Sequence, residues 1–438
     1  MSLLALTLVM LTSAAQELEL PSAAEQRAGE LERLVDAPTP EARRALAASM
    51  ARARGGNPVE WAAAMAGFGR FDAASAGNHS ETIELVVLGK RVATELWIYV
   101  PAKYAPAKPA PLMLSFHGTG GSGQGMHSHW QRTADDLGML VLAPSEPGEN
   151  TGYRFDDRER AAALAALRWM RRKYNVDENR VYASGISRGG HLTWDLALRY
   201  PDRFAAVAPM IGSPRITMAD GQNNMRLLEN VAQLPIRDLQ GSKDDAGLVY
   251  SVRLAFDLLG KFAPRDAQLI EFPDLGHSFD MTAVDWPTWL GSNSRNPLPE
   301  RIVRCTATKD EGRAHWLEIR AVDKDVREDF RPEIPEGEWS RLSEDGQRRR
   351  YVAEVIKRNA RAVARRNGPG SYTLDLDGAT KVRLYLRAED LDENGGVRIS
   401  LAGKYLARKV QADVKSMLEE FAERFDRSFI PVGYVDVP

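Results

Sequence analysis

Short apolar runs recur along the middle of the chain: PLMLSF (111–116), LGMLVLAP (137–144), VYASG (181–185), FAAVAPMIG (204–212), PIRDLQG (235–241) and AQLIEF (267–272), each bounded by turn residues. Between several of them the apolar spacing becomes helical, as in ERAAALAALRWMRRKY and SVRLAFDLLGKF. Strands buried on both faces and separated by helices specify a mostly parallel sheet covered on both sides. The expected fold class over 81–295 is therefore α/β, opened by a hairpin in ETIELVVLGKRVATELWIYVP that turns at Gly89-Lys90.

The pattern changes on both flanks. Upstream, three helical segments each carry a start signal: Ser22 with Glu25 as a capping box, Thr39 before Pro40, and Asn57 before Pro58 with Glu60 at the third position. The second segment ends at Gly55-Gly56, and residues 16–80 read as a short helical N-terminal region. Downstream of Pro297-Leu298-Pro299, the runs HWLEIRAV, SYTLDLDG, KVRLYL and VRISLAG alternate with period two, which predicts a β-rich, sandwich-like domain over 300–438. A late helix carries Val410, Val414, Met417, Leu418, Phe421 and Phe425 at core spacing, and Arg348-Arg349-Arg350 reads as a solvated turn.

Composition narrows the class. Apolar residues make up 44% and charged residues 27% of the 438, ordinary values for a globular chain. Against 60 Asp and Glu stand 58 Lys and Arg, a net charge of -2, so the basic surplus of a nucleic-acid binder is missing. Residues 1–15, MSLLALTLVMLTSAA, join an apolar run too short for a membrane span to the small residues Ser13, Ala14 and Ala15. That is the pattern of a cleaved secretory signal, and a secreted or periplasmic location is expected. No later segment approaches the roughly 18 apolar residues of a span, so no integral membrane segment is expected in the mature chain. The single cysteine, Cys305, lies in an apolar alternation and reads as core.

Candidate chemistry centres on Gly185-Ile186-Ser187-Arg188-Gly189, which directly follows the strand VYASG and opens a helix-like stretch. This strand-turn-helix setting is what a nucleophile elbow needs, because the serine occupies a strained turn where neighbouring side chains would clash. A serine hydroxyl also needs a base, and the base an orienting acid, in the chain order Ser, Asp or Glu, His. Beyond His191, on the elbow helix itself, only His277 and His315 lie downstream; His277 follows LIEF in DLGHSF, whereas His315 reads as strand surface. The acid belongs in LQGSKDDAG, where Asp244 is preferred over Asp245; Asp238, inside the strand, is weaker. An oxyanion hole is expected from the backbone N–H groups of Arg188 and of Thr119 in HGTGGSG. That glycine run lacks the Lys-Ser/Thr ending of a phosphate loop, and His127 and His129 have no third ligand at recognisable spacing, so neither cofactor nor metal is expected. His117 and His191 read as packing and buttressing groups, and Trp194, Trp286 and Trp289 as either pocket or core.

Together HGTGGSG, DENRVYASGISRGGHLTWDLALRYPDRFAAVAPMIG and GSKDD followed by DLGHSF resemble the secreted α/β-hydrolase serine esterases related to polyhydroxybutyrate depolymerases and feruloyl esterases, on the prolyl oligopeptidase side of the superfamily. The likeness covers roughly 81–290. It implies Ser187 as nucleophile, Asp244 as acid, His277 as base and an ester as substrate, with carbohydrate and polymer esters among the candidates. Many members carry His-Gly before the acid, where this chain has Gln240-Gly241. Rival readings are a serine peptidase of the prolyl oligopeptidase type, whose long N-terminal propeller the helical stretch before residue 81 does not match, and a non-catalytic surface-binding protein. All four catalytic components fall between His117 and His277, so 300–438 reads as an accessory module.

Overall fold

The computed structural model describes residues 22–54, 57–148, 151–216, 223–410 and 412–438; the expected signal at 1–15 and the helix stop at Gly55-Gly56 lie outside them. Three N-terminal helices come first: α1 (Ala23–Asp36), α2 (Pro40–Arg54) and α3 (Pro58–Ala66). The start signals act as written. Ser22 and Glu25 form a reciprocal capping box, and the Asn57 side chain accepts the Val59 N–H.

An eight-stranded sheet follows, in the order β1-β2-β4-β3-β5-β6-β7-β8. Its strands are β1 (Gly77–Val87), β2 (Lys90–Val100), β3 (Ala110–Phe116), β4 (Leu140–Pro144), β5 (Val176–Ile186), β6 (Ala206–Met210), β7 (Ile236–Gly241) and β8 (Ala267–Phe272). β1 and β2 are antiparallel to their neighbours, and the remaining pairs are parallel. The sheet is thus mixed and mostly parallel, as its buried apolar strands require. The hairpin turn lies one residue earlier than expected: Val87 pairs with Lys90, leaving Leu88 and Gly89 as the turn, at φ 48° and 77°. A two-residue turn that matches strand twist needs both central residues left-handed, and Leu88 accepts that strain with its side chain exposed.

Helices α4 (Gly123–His127), α5 (Gln131–Leu137), α6 (Asp157–Lys173), α7 (Arg188–Arg199), α8 (Ala246–Gly260) and α9 (Trp286–Ser292) connect and cover the strands. Every residue of β3 and of β6 is buried, as their continuous apolar sequences require. Trp194, Trp286 and Trp289 are core residues, not pocket residues; Trp194 donates its indole N–H to the buried Asp238 at 2.7 Å.

The C-terminal strands form two further sheets. One is β10-β11-β14-β17 and the other β16-β15-β13-β12-β9. Their ranges are β9 (Arg301–Thr306), β10 (Arg313–Ala314), β11 (Leu317–Val322), β12 (Ala360–Gly368), β13 (Ser371–Asp377), β14 (Ala379–Leu386), β15 (Gly396–Leu401), β16 (Lys404–Lys409) and β17 (Gly433–Val437). Pairing is antiparallel except between β13 and β15. Residues of both sheets, such as Leu317, Leu384, Leu374 and Ile399, share one core. Three helices accompany them: α10 (Glu336–Trp339), α11 (Glu344–Ile356) and α12 (Val414–Arg424).

Three local expectations need correction. Arg348-Arg349-Arg350 lies within α11, not in a turn. His315 is no strand-surface residue; it occupies the turn between β10 and β11 at φ 49°, where its backbone N–H donates to Asp202 at 2.9 Å. Val410 precedes α12 and packs toward the sheets, while Met417, Leu418, Phe421 and Phe425 join Leu31, Leu34 and Trp61 of the N-terminal helices in a separate cluster.

The seam between the regions is dense. Cys305 and Val352 complete the core around the central sheet, and Asn230 both accepts the Cys305 N–H at 2.7 Å and donates to its carbonyl at 2.9 Å. Arg295 grips Asp426 at 2.6 and 3.1 Å, and Arg226 donates to Asn359 and to the Arg327 and Arg358 carbonyls.

Candidate active site

Ser187 sits where β5 ends and α7 begins, at φ 58° and ψ -113°, a strained conformation for a residue with a side chain. Its N–H is tied to Met210 O of β6 at 2.9 Å. The surrounding glycines are a steric necessity. A Cβ on Gly185 would lie 2.3 Å from Gly189 O, one on Gly189 2.1 Å from Phe116 O, and one on Gly190 2.5 Å from Met210 O. The sharp turn therefore packs backbone against backbone, and any side chain there would push strand and helix apart.

His277, in the loop after β8, brings Nε2 to 2.8 Å from Ser187 Oγ. Its Nδ1 lies 2.8 and 3.0 Å from the two oxygens of Asp244, in the loop after β7. With Nδ1–H donating to the carboxylate, the Nε2 lone pair faces the serine hydroxyl. Asp245 does not compete for this place: its carboxylate caps α8 by accepting the Leu248 N–H at 3.0 Å. Asp244 further accepts the Asp245 N–H at 2.7 Å and the Gln240 side-chain N–H at 2.9 Å. Burial works to raise the Asp244 carboxyl, but the hydrogen bonds from His277, Asp245 and Gln240 outweigh it and hold the group below its usual range. Gln240 thus orients the carboxylate. Asp238 is the contrary case: burial drives it well above the usual carboxyl range, against the Trp194 N–H alone among hydrogen-bonding groups.

The loop after β3 passes directly over the serine. A Cβ on Gly118 would stand 3.6 Å from Ser187 Cβ and 3.4 Å from Ile186 O, and Thr119 is the next residue. His117 fixes this loop, donating Nδ1–H to Gly118 O at 2.8 Å and accepting the Glu146 N–H on Nε2 at 2.9 Å. Arg188 supplies the first N–H of α7, while its buried guanidinium pairs with Glu146 and Glu159. His191 contacts Ser213 through Nδ1, away from the serine hydroxyl.

A cleft of about 500 Å³ opens at Asp245, the chain neighbour of Asp244, and is lined also by Phe155, His191, Ser213, Arg215, Tyr250 and Arg348. Sequence reading missed Gln240 as an orienting group, although its place one residue before the acid loop was a signal. It weighed Arg348-Arg349-Arg350 as a solvated turn against an anion site, and nothing local to a residue some hundred positions from the acid tied Arg348 to this cleft.

No family model matches the chain. It is 29% identical over 154 residues to a bifunctional acetylxylan esterase/xylanase of Neocallimastix patriciarum, covering 34% of this chain and 21% of that protein. With feruloyl esterase B of Neurospora crassa it shares 28% identity over 163 residues, 35% of this chain and 54% of the relative. The chain thus spans about a fifth and about half the length of these two relatives. Among solved structures, an acetyl xylan esterase from Aspergillus awamori aligns with 49% of this chain and 99% of its own at TM-score 0.39 and 15% identity. Over roughly a third of its length or less, the chain is thus similar to feruloyl esterase B and to acetylxylan esterases.

Proposed function

We propose that the protein is a serine carboxylic-ester hydrolase acting through an acyl-enzyme on Ser187. The observation that carries this reading is the continuous hydrogen-bond chain from Ser187 Oγ to His277 to Asp244, with links of 2.8 Å. His277 Nε2 takes the hydroxyl proton as Ser187 Oγ attacks the ester carbonyl carbon. Asp244 holds the ring in the tautomer that leaves Nε2 free and stabilises the imidazolium that forms. The oxygen that gains charge is received by the N–H groups of Arg188, just after the elbow serine, and of Thr119, in the loop after β3. Collapse of the tetrahedral species expels the alcohol, which takes the proton from His277. Water then enters, gives its proton to His277, attacks the acyl carbon and releases Ser187 with the carboxylic acid. Esters of plant carbohydrates are candidate substrates, on the strength of the esterase relatives.

The test is turnover on aryl, acetyl and feruloyl esters together with labelling by a fluorophosphonate probe. Wild-type protein should turn over at least one ester and take the label on Ser187, and Ser187→Ala should do neither. A folded wild-type chain that is neither labelled nor active contradicts the proposal.

A further inference from the structure

The cleft at Asp245 is assembled from distant parts of the chain. Tyr250 comes from α8, Arg215 from the segment after β6, and Arg348 from α11 of the C-terminal region. Two guanidinium groups thus line it, each laid against an aromatic ring: Arg348 Cζ is 4.3 Å from the Tyr250 centroid and Arg215 Cζ 5.0 Å from that of Phe155. Stacking on Tyr250 fixes the plane of the Arg348 guanidinium while its N–H edges stay able to donate. Tyr250 is itself fastened, its hydroxyl donating to Asp345 at 2.7 Å, and Arg349 joins Asp345 to Asp257 of α8. Arg348 is therefore carried on an anchored helix.

Charge in the cleft favours an anion. Asp245, the one carboxylate among its described lining residues, is engaged at the start of α8. The ion partner of Arg348 is Glu344, one helical turn away and 74% exposed, and so screened a pair gives way readily to a better-placed carboxylate. The chain as a whole is slightly acidic, so a basic lining at this point is a local feature.

We propose that Arg348 binds a free carboxylate on the substrate, so that the enzyme prefers esters carrying a second, unesterified acid group over neutral esters of the same size. This rests on the ester-hydrolase reading and narrows its substrate class to acidic esters.

Two matched pairs of esters test it. Mono-4-nitrophenyl succinate against 4-nitrophenyl butyrate places the carboxylate on the acyl side; 4-acetoxybenzoate against 4-acetylphenyl acetate places it on the alcohol side. The wild-type chain should favour the charged member of at least one pair. In Arg348→Ala the ratio of kcat/KM, charged over neutral, should fall about tenfold, mainly through KM. Arg348→Lys should keep part of the preference and Arg348→Glu should invert it. Salt gives a readout on the unmutated protein, since raising ionic strength should erode the preference. A ratio indifferent to salt and the same in wild type, Arg348→Ala and Arg348→Glu overturns the inference while leaving the esterase reading standing. A chain that hydrolyses none of the four esters and resists the fluorophosphonate probe overturns both.

Discussion

The two ends of the central sheet are held together by opposite means. At the carboxyl ends of β5, β7 and β8, backbone does most of the holding: glycines at 185, 189 and 190 let main chain touch main chain, and the triad's own charge is the Asp244 carboxylate, shared by His277, Gln240 and the Asp245 N–H. At the seam with the C-terminal sheets, charged side chains do it, through Arg295 with Asp426, Arg424 with Asp202, and Arg199 with Glu311 and Glu328. A buried charge costs much when its partner is removed, whereas a backbone turn has no partner to lose. Site geometry should therefore respond to steric change and seam integrity to charge.

Removing the seam altogether is the strongest way to break this contrast. A chain ending near Pro299 would lose Cys305 and Val352 from the central core and strip partners from Asn230, Arg226 and Arg295. It is expected to fail to give soluble, monodisperse protein, as size-exclusion chromatography would show. Recovery of a stable truncated chain would mean that the region is a separable module after all.

Within the site, Asp244→Asn should lower kcat about 10⁴-fold, because the amide favours the wrong His277 tautomer. Asp245→Asn should cost activity little, since asparagine is also a good helix cap. Steady-state kinetics on one soluble ester compares the two, and reversed severities would move the acid role to Asp245.

A single seam pair can be broken instead. Asp426→Ala leaves Arg295 buried and uncompensated and should cost about 3–5 kcal/mol of stability, read by denaturant titration. The kcat of the protein that remains folded should stay close to wild type, which separates seam from site.

The smallest expected effect is a pH trend. Asp426, held down by Arg295 against the cost of burial, contributes stability that is complete above the unfolded value of 3.8 and lost as pH falls through its lower folded value. Asp238 has the opposite sign. Burial raises its folded value, so above 3.8 the unfolded chain ionises while the folded chain stays protonated, and stability declines as pH rises. Asp238→Asn should remove that decline, and the Tm of the variant relative to wild type should increase between about pH 4 and 8.

The parts of this molecule that local constraint dictates were legible in the sequence. Ser187 stands out because its turn tolerates only glycine at neighbouring positions, and His277 because it follows a strand of the same sheet. Sequence ranked Asp244 above Asp245 by place in one short loop alone; the direction of each side chain, one toward His277 and one back onto α8, tells them apart. Period-two alternation revealed the C-terminal strands but not their pairing, and nothing in it marks β13 and β15 as parallel. Arg348 was illegible for the same reason, because its meaning depends on α11 docking against α8.

The central claim is that Ser187, activated through His277, is the nucleophile. The most direct measurement is mass spectrometry of the intact protein after treatment with a fluorophosphonate, in wild type, Ser187→Ala and His277→Ala. One adduct per wild-type chain, mapped to the peptide containing Ser187, is expected, with none in Ser187→Ala and greatly slowed addition in His277→Ala. An adduct on another residue, or addition to Ser187 at the same rate without His277, would contradict it.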